Sequence, residues 1–231
     1  MNTLRSTLLA TIASSTIATS ALAEPIKEAI HVFDLSQSAA VGMNVNAARS
    51  AGNHVEKSIL SMDNRGVVQL RTLGSAGVVP QQFRIDAQLG KKAASRPNRV
   101  APKLGEFVRS IPELASSGRI QLQPDTNIIG YLETLAPSLN CQQQATKIFL
   151  YTDGIESSPR VDSRDLLAGK VSLPSPSGPI LQGCAVEMRG LAERNSRLGT
   201  NNTWFNLLRD QWALFFKKAG VSEFKAYAEF E

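Results

Sequence analysis

Two short apolar runs, each followed at once by an aspartate, decide how this chain reads. They are Ala29-Ile30-His31-Val32-Phe33 leading into Asp34-Leu35-Ser36-Gln37-Ser38, and Lys147-Ile148-Phe149-Leu150-Tyr151 leading into Thr152-Asp153-Gly154. Continuous apolar runs of this length, closed by polar turn residues, suit strands buried on both faces at the centre of a parallel sheet. Helix-like runs lie between and after them. Residues 46–62 place Ala47, Ala51, Val55, Ile59 and Met62 on one face, and residues 202–219 do the same with Trp204, Leu208, Trp212 and Phe215. Lys217 and Lys218 suit the C-terminal end of that last helix, and Gly220 can close it.

Further strands are expected at 66–73 and 82–89, where apolar and polar residues alternate, and at 184–191 and 223–230. The pair 66–73 and 82–89, joined by the Gly-rich stretch 74–80, reads as a hairpin-like edge. Helices are expected at 103–117, interrupted by Pro112, at 127–139, ending near Pro137, and at 162–167. Residues 90–102 carry Lys91, Lys92, Arg96 and Arg99 with no acid and read as a solvated basic loop. The alternation predicts an α/β fold, doubly wound, with a mostly parallel central sheet, one antiparallel edge strand and helices on both faces.

The first 23 residues have a different character. Arg5, a short apolar stretch from Leu8 to Ala18, and Ala21-Leu22-Ala23 before Glu24 describe a secretory signal peptide cleaved after Ala23. Residues 24–231 then form a single domain, periplasmic or secreted. The whole chain carries 25 basic and 20 acidic residues, and losing Arg5 leaves the exported part at +4. So small a charge, spread along the chain, argues against a nucleic-acid binder, and no later stretch is long and apolar enough to span a membrane. Two His and two Cys are too few for a four-ligand zinc site without ligands drawn from distant segments. In an oxidising compartment Cys141 and Cys184 read as one disulfide, because Cys141 precedes one strand and Cys184 begins the next. The alternative is a pair of small buried hydrophobes.

The chemistry-bearing residues fall in three separated pieces. Asp34, Ser36 and Ser38 follow the first strand, Thr126 opens the helix at 127–139, and Asp153 follows the Lys147–Tyr151 run. In an open α/β sheet the loops at the carboxyl ends of central strands converge on one crevice. Two carboxylates and three hydroxyls make an all-oxygen set suited to a hard octahedral cation, Mg²⁺ or Mn²⁺. His31 in a strand and His54 on a helix show no ligand cluster around them, and no Gly-x-Ser-x-Gly elbow, P-loop or His-Glu-x-x-His motif is present.

Asp-x-Ser-x-Ser after strand one, the Thr at the Thr126-Asn127-Ile128 helix start, and Thr-Asp-Gly after the later strand resemble the metal-ion-dependent adhesion site of von Willebrand factor A domains and integrin inserted domains. The resemblance covers nearly all of residues 24–231. It implies that Ser36, Ser38 and Thr126 supply hydroxyl oxygens to a divalent cation, and that Asp34 and Asp153 act directly or through water. It also implies that an acidic residue of a protein partner fills an open coordination position. Gln37 stands where many members have Gly. Asp125, a candidate helix cap or outer charge, would weaken the pull on an incoming carboxylate, and Glu156 is a candidate rim residue on an exposed loop. The implied function is protein binding without enzymatic activity. The alternatives are metal-assisted phosphoryl or ester hydrolysis by the same oxygens, and a metal-free scaffold. Phosphatases of the haloacid-dehalogenase type need a second Asp where this chain has Ser36.

Overall fold

The computed structural model describes residues 25–62, 64–73, 82–193 and 202–230. The expected signal peptide, the connection 74–80 and Asn201 of the sequence Asn201-Asn202-Thr203, which matches a glycosylation acceptor, lie outside these residues. Six strands form one sheet in the order β3-β2-β1-β4-β5-β6. They are β1 (Glu28–Phe33), β2 (Val67–Thr72), β3 (Arg84–Gln88), β4 (Thr146–Tyr151), β5 (Ala185–Arg189) and β6 (Glu223–Tyr227). All neighbouring pairs are parallel except β2 with β3, which is the antiparallel edge expected from the alternating pattern. β1 and β4 are the two apolar runs, and they lie side by side in the middle.

Residues two apart share a face of a strand, and this splits the core into two layers. Ile30, Val32, Ile148, Leu150, Val186 and Met188 pack under α4 (Ile128–Leu135), α5 (Ser163–Leu167) and α6 (Asn202–Lys218). Ala29, Phe33, Val68, Leu70, Phe149 and Tyr151 pack under α1 (Val45–Leu60), α2 (Pro97–Arg109) and α3 (Ile111–Ser116). Chain progress runs outward from β1 to β2 and β3 in one direction, and through β4, β5 and β6 in the other. The reversal of direction between β1 and β4 is the topological switch point where open α/β sheets hold their ligands.

The largest boundary difference from the sequence expectation lies at the start of α2. Residues 97–102 belong to α2 and not to a basic loop, because Pro97 sits at the first helical turn, where a missing N–H is harmless, and Ala101, Leu104 and Val108 recur at helical spacing. Pro112 separates α2 from α3 by standing in the first turn of α3.

Candidate metal centre

The register sets Phe33 beside Tyr151, so the loops that follow β1 and β4 leave the sheet together. Asp34 N–H donates to the Tyr151 carbonyl at 2.9 Å, continuing the pairing one residue beyond the strands. Ser36 N–H then donates to Asp34 Oδ1 at 2.8 Å, a turn closed by the aspartate side chain. That turn brings the hydroxyls of Ser36 and Ser38 to 3.2 Å from each other. From the β4 side, Thr152 Oγ1 donates to Asp34 Oδ2 at 2.7 Å and accepts from Gly154 N–H at 3.0 Å. Asp153 Oδ1 accepts from Ile155 N–H at 3.0 Å.

The third piece is sewn to the other two through the backbone. Gln37 N–H donates to the Gln123 carbonyl and Gln123 N–H to the Leu35 carbonyl, both at 2.9 Å. Ser157 N–H donates to the Thr126 carbonyl at 2.7 Å. The segment 123–126 thus bridges the loop after β1 and the loop after β4, and the predicted site residues Asp34, Ser36, Ser38, Thr126 and Asp153 come to one end of the sheet. Asp34, Ser36, Thr126 and Asp153 are buried, and Ser38 is half-buried beside exposed Gln37.

Gly154 makes the β4 loop possible. Its φ of +73° is a conformation that L side chains rarely adopt, and a Cβ there would stand 2.2 Å from Leu191 Cδ1. Its carbonyl accepts from Trp212 Nε1 at 2.9 Å, which fixes the loop to α6.

Asp34 is 1% exposed, and among the described residues no Lys or Arg is paired with it. Burial pushes its carboxyl up from the ordinary value, against hydrogen bonds from Thr152 and Ser36 that favour the charged form. A buried carboxylate without a counter-charge is costly, and a hard cation held by carboxylate and hydroxyl oxygens would relieve it. Among the described residues no group of three or more His, Cys, Asp and Glu is arranged for a metal ion, so any site here depends on hydroxyl donors beside the aspartates.

Two residues considered for the rim part company. Asp125 is exposed and accepts from Ser157 Oγ at 3.4 Å, while Asn127 and not Asp125 caps α4. Glu156 is fully buried and not on an exposed loop. Its Oε2 accepts from Ile128 N–H at 2.9 Å and Ile129 N–H at 3.2 Å, the first free amides of α4. Sequence reading missed this because the partners are 28 and 27 residues away. It also missed Gln123, buried with its Nε2 on the Leu73 carbonyl at 3.0 Å, and the clamp made by Thr152.

His31 and His54 are not isolated: both face the Tyr151 hydroxyl, at 2.9 and 2.8 Å, and their partners are protein groups. Cys141 and Cys184 form a disulfide with Cα atoms 4.8 Å apart, where the paired starts of β4 and β5 bring them together. No described helix is long and apolar enough to cross a membrane.

No protein-family model and no curated protein matches the chain. Among solved structures it is similar to an aerotolerance-related membrane protein from Bacteroides fragilis, at 16% identity over 87% of this chain and 90% of that one, with a TM-score of 0.42. It is also similar to the pilus adhesin SpaC from Lactobacillus rhamnosus GG, at 13% identity over 89% of this chain and 28% of that one, with a TM-score of 0.44. A third likeness is to the human COPII-coat protein Sec24c, at 13% identity over 88% of this chain and 30% of that one, with a TM-score of 0.45. This chain therefore spans less than a third of the last two. The six-stranded, mostly parallel sheet with one antiparallel edge is the architecture expected from the sequence.

Proposed function

We propose that this protein is an exported binding module of the von Willebrand A type, which holds Mg²⁺ or Mn²⁺ and docks a protein partner through an acidic residue of that partner. The observation that supports this reading most is the stitching of the loops after β1 and β4 to segment 123–126 at the switch point of the sheet. Ser36, Ser38 and Thr126 would offer hydroxyl oxygens, with Asp34 and Asp153 as the charged members. With three neutral hydroxyls in the set and an aspartate acting through water, the ion would keep partly uncompensated positive charge toward half-buried Ser38, where a partner carboxylate can approach. A binding role fits better than hydrolysis, since both histidines are engaged in the core and neither stands at this end of the sheet as a general base. The disulfide fits export to an oxidising compartment.

The test is calorimetric titration and thermal melting of the metal-stripped protein with Mg²⁺ and Mn²⁺. A ligand at a hundred times its Kd adds about 2.7 kcal/mol of stability, which raises the melting temperature measurably. Ser38→Ala, a half-buried position whose loss leaves the fold intact, should weaken binding at least tenfold. If neither ion binds the unaltered protein, the metal-site reading is wrong.

A further inference from the structure

Beneath α1 the sheet is not wholly apolar. His31 from β1, Tyr151 and Lys147 from β4, and Glu187 and Arg189 from β5 share that side with His54 and Ser58 of α1. Their polar atoms form a continuous line. Glu187 Oε1 is 3.3 Å from His54 Nε2, and His54 Nδ1 is 2.8 Å from Tyr151 Oη. Tyr151 Oη is 2.9 Å from His31 Nδ1, and His31 Nε2 is 3.1 Å from Ser58 Oγ. Ser58 Oγ also lies 2.8 Å from the Val55 carbonyl.

Proton inventory fixes the direction of every bond in this line. Glu187 is held as a carboxylate by Lys147 at 2.7 Å and Arg189 at 2.5 Å, so it only accepts. His54 Nε2 must then carry a proton. If His54 is neutral, its Nδ1 is bare and takes the one Tyr151 proton, and the Tyr151 oxygen in turn accepts from His31 Nδ1–H. Neutral His31 then has a bare Nε2, which takes the Ser58 proton away from the Val55 carbonyl. If His54 instead carries a second proton, both its nitrogens donate. Tyr151 then accepts from His54 and turns its own proton to His31 Nδ1. His31 shifts its single proton to Nε2 and donates it to Ser58, whose proton returns to Val55. Both arrangements satisfy the whole line from Glu187 to Ser58 without moving a heavy atom.

We propose that this line is a one-proton switch, in which protonation of His54 reverses the hydrogen bonds through Tyr151 and exchanges the tautomer of His31 while His31 stays neutral. The surroundings assign the proton to His54. His31 is fully buried, and burial, with His54 adding to it, holds its pKa at about 3. His54 is 9% exposed, and burial, with Arg189 and Lys147, opposes its charged form while Glu187, which it faces, favours it. Tyr151 stays a neutral phenol, since burial raises it well above its ordinary value. Elsewhere around α1, Arg109 of α2 is paired with Glu56, and on β6 beyond Glu187 Lys225 is paired with Glu223. Burial, with Arg189 and Lys147, outweighs Glu187 and leaves His54 below its ordinary 6.5, so the switch is thrown on the acid side of that value. It does not depend on metal binding, although the Tyr151 carbonyl that accepts from Asp34 N–H places it directly beneath the candidate site.

The experiment is long-range proton–nitrogen NMR on the full chain with nitrogen-labelled histidine, from pH 8 downward through the folded range. At pH 8 the proton should sit on Nδ1 of His31 and on Nε2 of His54. As His54 becomes doubly protonated, the His31 proton should move to Nε2 with the same midpoint. A His31 tautomer that stays fixed while His54 titrates overturns the proposal, as does a His54 that never titrates in the folded protein. Tyr151→Phe removes the linking hydroxyl and keeps the ring, so there His54 should titrate while His31 holds one tautomer at every pH. A pH-dependent His31 exchange in that variant would also overturn it.

Discussion

Glu156 offers the sharpest test of how the candidate site is held, because its charge and its hydrogen bonds act in opposite directions. Its Oε2 accepts from two buried amides at the start of α4, two residues beyond Thr126. Truncation in Glu156→Ala strands both donors, at about 1–3 kcal/mol each, so a loss of roughly 2–6 kcal/mol is expected. Glu156→Gln keeps an acceptor oxygen and drops only the charge. Burial, outweighing the Ser158 hydroxyl, the two amides and Arg160, raises the Glu156 pKa above its ordinary 4.5. A carboxyl raised on folding binds its proton more tightly in the native state, so its contribution is full below pH 4.5 and is lost as pH rises through the folded value. At pH 7 the carboxyl is therefore a burden that Gln lacks. Glu156→Gln should be as stable as the unaltered protein or more so at pH 7, and should lose that advantage on approach to pH 4.5. Urea denaturation of all three proteins in EDTA, between pH 4.5 and 8, measures this. If Glu156→Gln is as damaging as Glu156→Ala at pH 7, or its difference from the unaltered protein does not vary with pH, the assignment of Glu156 as a buried cap of α4 fails.

Other outcomes follow from single contacts. Gly154→Ala introduces a Cβ 2.2 Å from Leu191 Cδ1 at a φ of +73°, and should destabilise by about 3 kcal/mol in thermal melting through combined strain and overpacking. Reduction of the disulfide, or Cys141→Ser with Cys184→Ser, opens a loop of sequence separation 43 and should lower stability by about 4 kcal/mol on the chain-entropy estimate. Acid should also unfold the protein. His31 has a folded pKa of about 3 against 6.5 unfolded, so stability is full above pH 6.5 and falls by up to about 1.4 kcal/mol per pH unit below it, which chemical denaturation at stepped pH will show. Glu187 adds to that loss further into acid. Burial alone would raise it, but His54, Lys147 and Arg189 hold it well below the usual carboxylate range, and its contribution disappears as it protonates.

The parts of this molecule that could be read in the sequence are those whose cause is local. The two central strands announce themselves as apolar runs, the edge pair as an alternation, and α1 and α6 as stripes at helical spacing, because burial on one or two faces imposes those periods directly on neighbouring residues. Asp34, Ser36 and Ser38 were visible for the same reason: a turn after a buried strand places them within a few residues of one another. The extent of α2 was misjudged because a run of cations hides helical spacing that only Ala101, Leu104 and Val108 express. The supports of the site left no such trace. Gln123, Thr152 and Glu156 work through partners brought close only by the reversal between β1 and β4, and no spacing rule connects Glu156 with an amide 28 residues away.

His31 and His54 show the same limit more sharply. Each taken alone is a polar residue on an apolar face, and only the β1–β4–β5 register sets Tyr151 between them and Glu187 at the end. A histidine whose role depends on which nitrogen carries a proton needs its partners' positions before it can be read at all. Every buried polar group must be matched donor to acceptor, so a carboxylate fixed at one end of a row dictates the protons along the whole of it. Local pattern therefore determines where the strands and helices lie, whereas the polar chemistry between them is set by topology. In this fold the topology places both the metal-site candidates and the histidine relay at β1 and β4, above the sheet's carboxyl end and beneath α1 respectively, with Tyr151 joining the two: its carbonyl accepts from Asp34 and its hydroxyl stands between the imidazoles.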